Sequence, residues 1–458
     1  MISFTLKGVV DMLMVGQIGT EALAAVGLGA LLAWNLIAFP MGMFRGQRPL
    51  VSQYLGAGDR TSAFSYGVHA AYLALFFGVI YLVFSEWIST WVTEWAMEKD
   101  HSATTLQYGK DYLGIRLWWS IAPMLGMAVG EYLRSVGRPR VSMSADLLVH
   151  PVNIALNYVL IFGKLGFPEM GVKGAALGTG IAEVFGVVLV LYLGRTNKLL
   201  PVDALRFQWK RMKRVLGVGL TGGVQFSIET FSFTLITKLI GELGTMPLAV
   251  HNVCVSIIHM SMMPAVAVGD GGSVLIGQYM GEKRLDLVSK SLNSTLKILM
   301  PFMGLMSIVF FIWGDNLVAM YMKPDDPNFA EAVRLGKWVM VAAAVWQMGD
   351  ALQIAYRFGL RAAGDHKWVM WTGILCAWVL SVPICWYVIR YWEGATLVHV
   401  WYAWTFEIFI GSLIFYLRWR NGGWKTKRMV EDEVEVTPLE SNGGDLDKES
   451  GETFGLTD

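Results

Sequence analysis

The chain has 458 residues, 54% of them apolar and only 16% charged, with a mean hydropathy of +0.47. A soluble globular domain carries about 25% charged residues, so that class is excluded. A net charge of +1, spread through short loops, offers no surface for nucleic acid, and Cys254, Cys376 and Cys385 sit in apolar runs without the spacing of a disulfide framework or zinc site.

Apolar runs of about 18 to 25 residues recur from end to end, the length that crosses a bilayer as a helix. They predict an all-α polytopic membrane protein with about twelve transmembrane helices. These lie near 2–16, 22–44, 62–84, 111–133, 141–163, 174–194, 215–240, 246–270, 292–314, 335–357, 368–390 and 395–417. The first reaches the turn-like "QIGTE" after about 16 residues, slightly short of a crossing, so it is either a short helix or begins upstream. No basic leader with a small-residue cleavage site precedes it.

Polar residues inside the spans form stripes at helical spacing. Span 1 holds Lys7 and Asp11, four apart, an in-helix ion pair or a cation ligand. Span 5 holds Asp146, His150, Asn153 and Asn157 on one face; its asparagines either bond across helices as packing groups or line a site. Span 7 aligns Thr221, Gln225, Glu229 and Ser232, and span 10, in "WQMGDALQIAYRFGLRAAGD", aligns Gln347, Asp350, Gln353 and Arg357. A carboxylate at mid-bilayer costs about 3 kcal/mol to insert, so each needs a reason. Carboxylates among amides and hydroxyls are the ligand set of a small hard cation or a carried proton. The plainer alternative for Asp350 is a structural pair with Arg357. Glu131, Asp270 and Lys238, near span ends, read as snorkelling groups, and His150, His251 and His259 as interior histidines; Glu183, Lys297 and Glu407 have no reading.

Enzyme chemistry finds no support. "GVGLTG" (217–222) matches a dinucleotide fingerprint but opens a span after a basic loop, and no Walker A, nucleophile elbow or HExxH sequence occurs. The 25 methionines and 13% aromatic content suit helix packing, and also a cleft adaptable to flat cations.

Loop charge sets the orientation. The loops near 45–60, 134–140, 195–214, 278–291 and 357–367, with 418–428, hold about 24 Lys and Arg against about 8 on the opposite side. The positive-inside rule then makes the first set, and both chain ends, cytoplasmic. The basic loop at 195–214 divides the spans six and six. "GQIGTEALAAVGLGA" from Gly16 resembles "GELGTMPLAVHNVCV" from Gly241, and Gln53 matches Gln278, at a common offset of 225. "LRSVGRPR" from Leu133 matches "LRAAGDHK" from Leu360 at 227. Two parallel six-helix repeats around a central cleft follow, an arrangement of secondary transporters. The expected domains are an N-terminal lobe (1–200), a C-terminal lobe (201–420) and an acidic, disordered cytoplasmic tail (421–458).

The motifs "VVDMLMVGQIGTEALAAVGL", "VSQYLGAGD", "VNIALNYVLIFG", "GVKGAALGTGIAE", "GTMPLAVHNV" and "GDALQIAYRFGLRAAGD", in this order from Val9 to about Arg420, resemble those of multidrug and toxic compound extrusion (MATE) transporters of the NorM-like type. The resemblance implies an antiporter that exports amphiphilic, cationic small molecules across the inner membrane in exchange for Na⁺ or H⁺. No other cofactor and no nucleic-acid partner are expected, and the protein is expected to act as a monomer in the bilayer. Asp11, Glu229 and Asp350 match the family's first-, seventh- and tenth-span acids, and Asn153 a fifth-span Asn. Asn157 stands where some members have Asp, and Lys7 departs from the pattern. The ion-coupling residues are therefore expected to be Glu229 and Asp350, where Na⁺ is favoured, with Asp11, and Gln225, Gln347, Gln353, Asn153 and Asn157 are expected as supporting polar groups of the substrate cleft. The alternative is a flippase for a lipid-linked precursor, which predicts a strongly basic cleft.

Overall fold

The computed structural model describes residues 11–12, 14–97, 102–197, 205–322 and 327–431. Among the described residues there is no strand. A segment in hydrocarbon must satisfy every backbone N–H and C=O internally, and these apolar runs do so as helices. In order they are α1 (Thr20–Arg45), α2 (Gln47–Gly56), α3 (Arg60–Val83), α4 (Ser85–Met97), α5 (Ala103–Trp118), α6 (Ile121–Ser135), α7 (Pro139–Phe162) and α8 (Gly171–Thr196). The second half supplies α9 (Trp209–Gly241), α10 (Thr245–Gly281), α11 (Leu285–Ala319), α12 (Phe329–Ala362), α13 (His366–Leu375), a π-helical stretch (Cys376–Ser381), α14 (Val382–Tyr391) and α15 (Leu397–Arg420).

Eleven of the predicted spans coincide with these helices; most of the first, Lys7 included, lies outside the described residues. By length and composition eight described segments can cross a bilayer, or nine if α5 and α6, bent by 50°, count as one. The two long helices that fall short are α9 and α12, at 33 and 34 residues. They carry Glu229 and Asp350, so the shortfall in hydropathy is made by the polar stripes themselves.

Hydropathy passes over α4. Its 13 residues cannot span a bilayer, yet Trp87, Trp91 and Trp95 form an exposed stripe at intervals of four, opposite the buried Ser89 and Thr93. An amphipathic helix edged with Trp lies along a membrane–water boundary. The π-helical stretch precedes Pro383, whose missing N–H deprives the preceding turn of a donor.

The two lobes meet at the end that carries the basic loops. On α1 and α9 the backbones come together through glycine: a Cβ on Gly42 would lie 2.5 Å from the Gly222 carbonyl oxygen, and one on Gly46 2.6 Å from Gly219 Cα. Gly219 and Gly222 of "GVGLTG" thus serve helix packing. Helices α2 and α10 approach more closely still. A Cβ on Gly56 would lie 1.9 Å from the Gln278 carbonyl oxygen, and one on Gly281 2.0 Å from that of Gln53. Ser52 abuts Gly277.

Beside this seam Arg48 is buried among charged groups from both lobes. Its guanidinium donates to Glu131 (2.7 Å from Nε), to Asp270 of α10, and to Ser273 Oγ (3.2 Å). Glu131 is 3% exposed and also holds Arg134 at 2.9 Å. The snorkelling expectation for Glu131 and Asp270 is therefore corrected: a buried arginine from another helix neutralises both.

The tail boundary also moves. Residues 421–431 pack on the bundle rather than starting a disordered segment. Trp424 is buried and stacks on Trp419 with ring centroids 4.4 Å apart. Arg428 donates to the Gly281 carbonyl (3.0 Å), and Met429 N–H to Gln53 Oε1 (2.7 Å). Val430 is buried, and Glu431 pairs with Arg214 at 3.1 Å. The acidic composition begins before the fold ends, because Glu431 has Lys210 and Arg214 in the first turns of α9 to face. The remainder of the predicted tail, 432–458, lies outside the described residues.

Candidate functional site

The C-lobe centre is built from α9, α12, α13, the π-helical stretch and α15. Glu229 accepts from Gln225 Nε2 (2.9 Å) and takes Arg357 Nη2 on both oxygens, at 2.7 and 2.9 Å. Arg357 Nη1 donates to Gln353 Oε1 (3.1 Å), and Arg361 Nη2 to Gln225 Oε1 (2.5 Å). One connected array thus runs from α9 to α12. Gly373 admits it: a Cβ there would lie 2.4 Å from both Gln225 Nε2 and Glu229 Oε1.

Asp350 stands apart from this array. It is 7% exposed and makes no hydrogen bond or ion pair among the described residues. The structural pairing of Asp350 with Arg357 is not formed, because the guanidinium turns to Glu229, 128 residues away in sequence. Glu229 and Asp350 are thus differently engaged, with Arg357 on both oxygens of Glu229. The stripe on α12 correctly put Gln347, Asp350, Gln353 and Arg357 on one buried face, but spacing on one helix does not say which neighbour a long side chain reaches. Gln347 donates to Ser261 Oγ on α10 (2.6 Å), leaving its own Oε1 buried without a partner.

The N-lobe centre is smaller. Asn157 Nδ2 donates to Asp11 Oδ1 (2.6 Å), and Asn153 Nδ2 to Thr179 Oγ1 on α8 (3.2 Å). Both asparagines are fully buried, and the Oδ1 atom of each lacks a hydrogen-bond partner. Gly178 makes the room, since a Cβ there would fall 2.3 Å from Asn157 Oδ1. Two hydrogen-bonded pairs of oxygen-bearing side chains, one turn apart on α7, thus join three segments; their donor atoms are of the hard-cation kind. One turn along α8, Glu183 pairs with Arg116 at 3.0 Å.

Sequence reasoning found Asp11, Asn153 and Asn157 and missed Thr179, which sits in a run of small residues, "GAALGTGIAE". It singled out Gln225, Glu229, Gln347, Asp350 and Gln353 but missed Gly373. His251, fully buried against Thr237 at 3.4 Å, faces Phe233 and Trp401. Among the described residues no group of three His, Cys, Asp or Glu could hold a metal ion by itself.

Comparison with known proteins places this architecture. The MatE family profile matches residues 1–159 and 223–387. The chain belongs to the MatE family. Among curated MatE relatives, a probable multidrug resistance protein NorM of Rhizobium meliloti is 27% identical over 423 residues, covering 90% of this chain and 87% of that protein. A probable NorM of Thermotoga maritima is 23% identical over 430 residues, covering 93% and 91%. An outward-facing multidrug resistance MATE transporter of the MOP superfamily superimposes with a TM-score of 0.82 at 18% identity, covering 93% of each chain. The Vibrio cholerae MATE transporter VcmN, as its D35N mutant, gives 0.82 at 15%, covering 93% and 94%. The MatE match spans both lobes, and the chain is a multi-pass membrane protein of a multidrug efflux transporter family.

Proposed function

We propose that the protein is a cation-coupled antiporter that exports amphiphilic cationic molecules from the cytoplasm in exchange for Na⁺ or H⁺. The observation that carries this reading is Asp350, a carboxylate buried inside the helix bundle whose nearest arginine is committed to Glu229. A buried charge without a partner is costly, so its place is explained by something that binds and leaves. The Asp11, Asn153, Asn157 and Thr179 group gives the other lobe a second place for a small cation.

The physics of exchange is linkage. The ion must bind the two conformations of the transporter with different affinity, and the substrate must compete with it for one of them. Lobes closed at the basic end are the arrangement in which an ion from the opposite side reaches both centres. With the basic end cytoplasmic, that side is external, and both chain ends face the cytoplasm of the inner membrane. A single chain supplies both lobes, so a monomer suffices.

The flippase reading needs unpaired cations to hold phosphates. Arg48, Arg116 and Arg357 each face a carboxylate instead, which leaves Arg361, bonded to the Gln225 amide, as the cation of the C-lobe centre without one among the described residues. The test is dye efflux from proteoliposomes under a Na⁺ gradient and, separately, a pH gradient. Asp350→Asn is expected to abolish the gradient-driven component while the protein still folds. Normal pumping by that variant refutes the assignment, and no transport by the wild type under either gradient refutes the antiport reading.

A further inference from the structure

Glu407 belongs to no motif of the sequence and to neither stripe, yet it lies in the C-lobe centre. It is 6% exposed on α15 and makes no hydrogen bond or ion pair among the described residues. Gly411 lies one turn further along. The position a Cβ would take on Gly411 lies 2.7 Å from Gln353 Nε2, 3.6 Å from Glu407 Oε1 and 3.7 Å from Cys376 Sγ. Glu407 Oε1 and the amide that Arg357 holds thus border the same point, and the charged groups around Glu407 are Arg357, Glu229 and Asp350. The thiols of Cys376 and Cys385 are the remaining titratable groups facing it, from the π-helical stretch and α14.

The charges do not balance. Three carboxylates, Glu229, Asp350 and Glu407, surround Arg357, which is spent on the first of them. Arg361 turns the other way, to Gln225. Two buried carboxylates remain, Asp350 from α12 and Glu407 from α15, on helices held together by Ser412 bonding the Gly349 carbonyl at 2.7 Å. The unpartnered Gln347 Oε1, one turn from Asp350 and fully buried, is a third oxygen of the same region. Buried carboxylates without donors are neutralised by a proton or a cation.

We propose that Glu407 is the third carboxylate of the C-lobe ion site and, with Asp350, holds the monovalent cation exchanged for substrate. Glu229 is then the fixed anchor of Arg357, and the exchangeable charge sits on the side toward α15. This assignment rests on the antiport reading above.

The test compares wild type, Glu407→Gln and Glu407→Asp in proteoliposomes, measuring dye efflux against Na⁺ concentration at fixed pH and against pH without Na⁺. The expected result is at least a tenfold rise in the half-activating Na⁺ concentration for Glu407→Gln, or a shift of at least one unit in the pH profile if the ion is H⁺. Glu407→Asp should recover part of the shift, because it keeps the charge. A purely structural role lowers the amount of active protein and leaves both profiles in place, which overturns the proposal alone. A wild type that transports under neither gradient overturns the antiport reading and this one with it. A second measurement uses the unmodified protein, should Glu407→Gln fail to fold. A hydrophobic carbodiimide labels buried carboxylic acids, and mass spectrometry locates the adduct. Label on Glu407 that added Na⁺ or raised pH suppresses supports the site; label confined to other carboxylates, or on Glu407 but indifferent to both ions, refutes it.

Discussion

Replacing Gly281 by alanine tests the seam between the lobes. The added methyl would lie 2.0 Å from the Gln53 carbonyl oxygen and 2.9 Å from Ala57 N, whereas ordinary van der Waals contact begins near 3.4 Å. Both neighbours are backbone, so no side chain can rotate away, and α2 and α10 must part by about 1.4 Å. Overpacking of this kind costs about 3 kcal/mol. On the antiport reading, the cost falls only on the conformation closed at the basic end. It therefore shifts the closed-to-open equilibrium by about 100-fold, at roughly 1.4 kcal/mol per decade. Ser52→Cys, in a background lacking the three native cysteines, reports the opening, because Ser52 is fully buried against Gly277. With a membrane-permeant maleimide, Gly281→Ala should raise the labelling rate by one to two orders of magnitude. Gly271→Ala on the same helix, where nothing lies within 4 Å of the added carbon, should leave it unchanged. Equal rates in the two variants would refute the view that this contact holds the lobes shut.

Three further outcomes follow from the polar centres. Arg357→Met strands Glu229, and because the pair is about one-quarter exposed the loss should be about 2 kcal/mol, less than for a fully buried pair. Thermal unfolding in detergent should show the loss, and Arg357→Met with Glu229→Gln should restore most of it. Gly373→Ala pushes a methyl into Gln225 and Glu229 and should impair ion-driven efflux more than it lowers the unfolding temperature. Asn157→Asp sets a second carboxylate against Asp11 where an amide now donates at 2.6 Å, so a shared cation or proton becomes necessary. The half-activating Na⁺ concentration or the pH profile of transport should move toward tighter ion binding.

The spans were legible because the bilayer imposes one length and one composition on them, and the offset of 225 gave the two repeats. The stripes on α7, α9 and α12 were legible for the same reason: helical periodicity fixes which residues share a face. What periodicity omits is the partner. Arg357 lies seven residues from Asp350 on its own helix, yet bonds Glu229 on another. Glu131 and Asp270 looked like surface groups until Arg48 was found between them. Thr179 was not singled out and Glu407 was left without a reading because neither belongs to a polar stripe that the sequence marks, and only the fold brings each to its neighbours. The helix α4 escaped because its signal, Trp at every fourth position, belongs to the interface and not to the hydrocarbon.

The seam has the reciprocity of an isologous dimer. Gly56 meets Gln278 and Gly281 meets Gln53, so each contact is repeated with the copies exchanged, as when two identical subunits face one another across a twofold axis. On that axis a residue meets its own counterpart, and Arg48 bonds Ser273 at a separation of 225 in sequence. Two identical half-length chains would have set arginine against arginine there, and at the next such position Arg45 and Asp270 would likewise have been one residue. Within one chain these positions are free to differ. The arginine that ties the lobes together is thus available to a single chain of two repeats and closed to a symmetric pair.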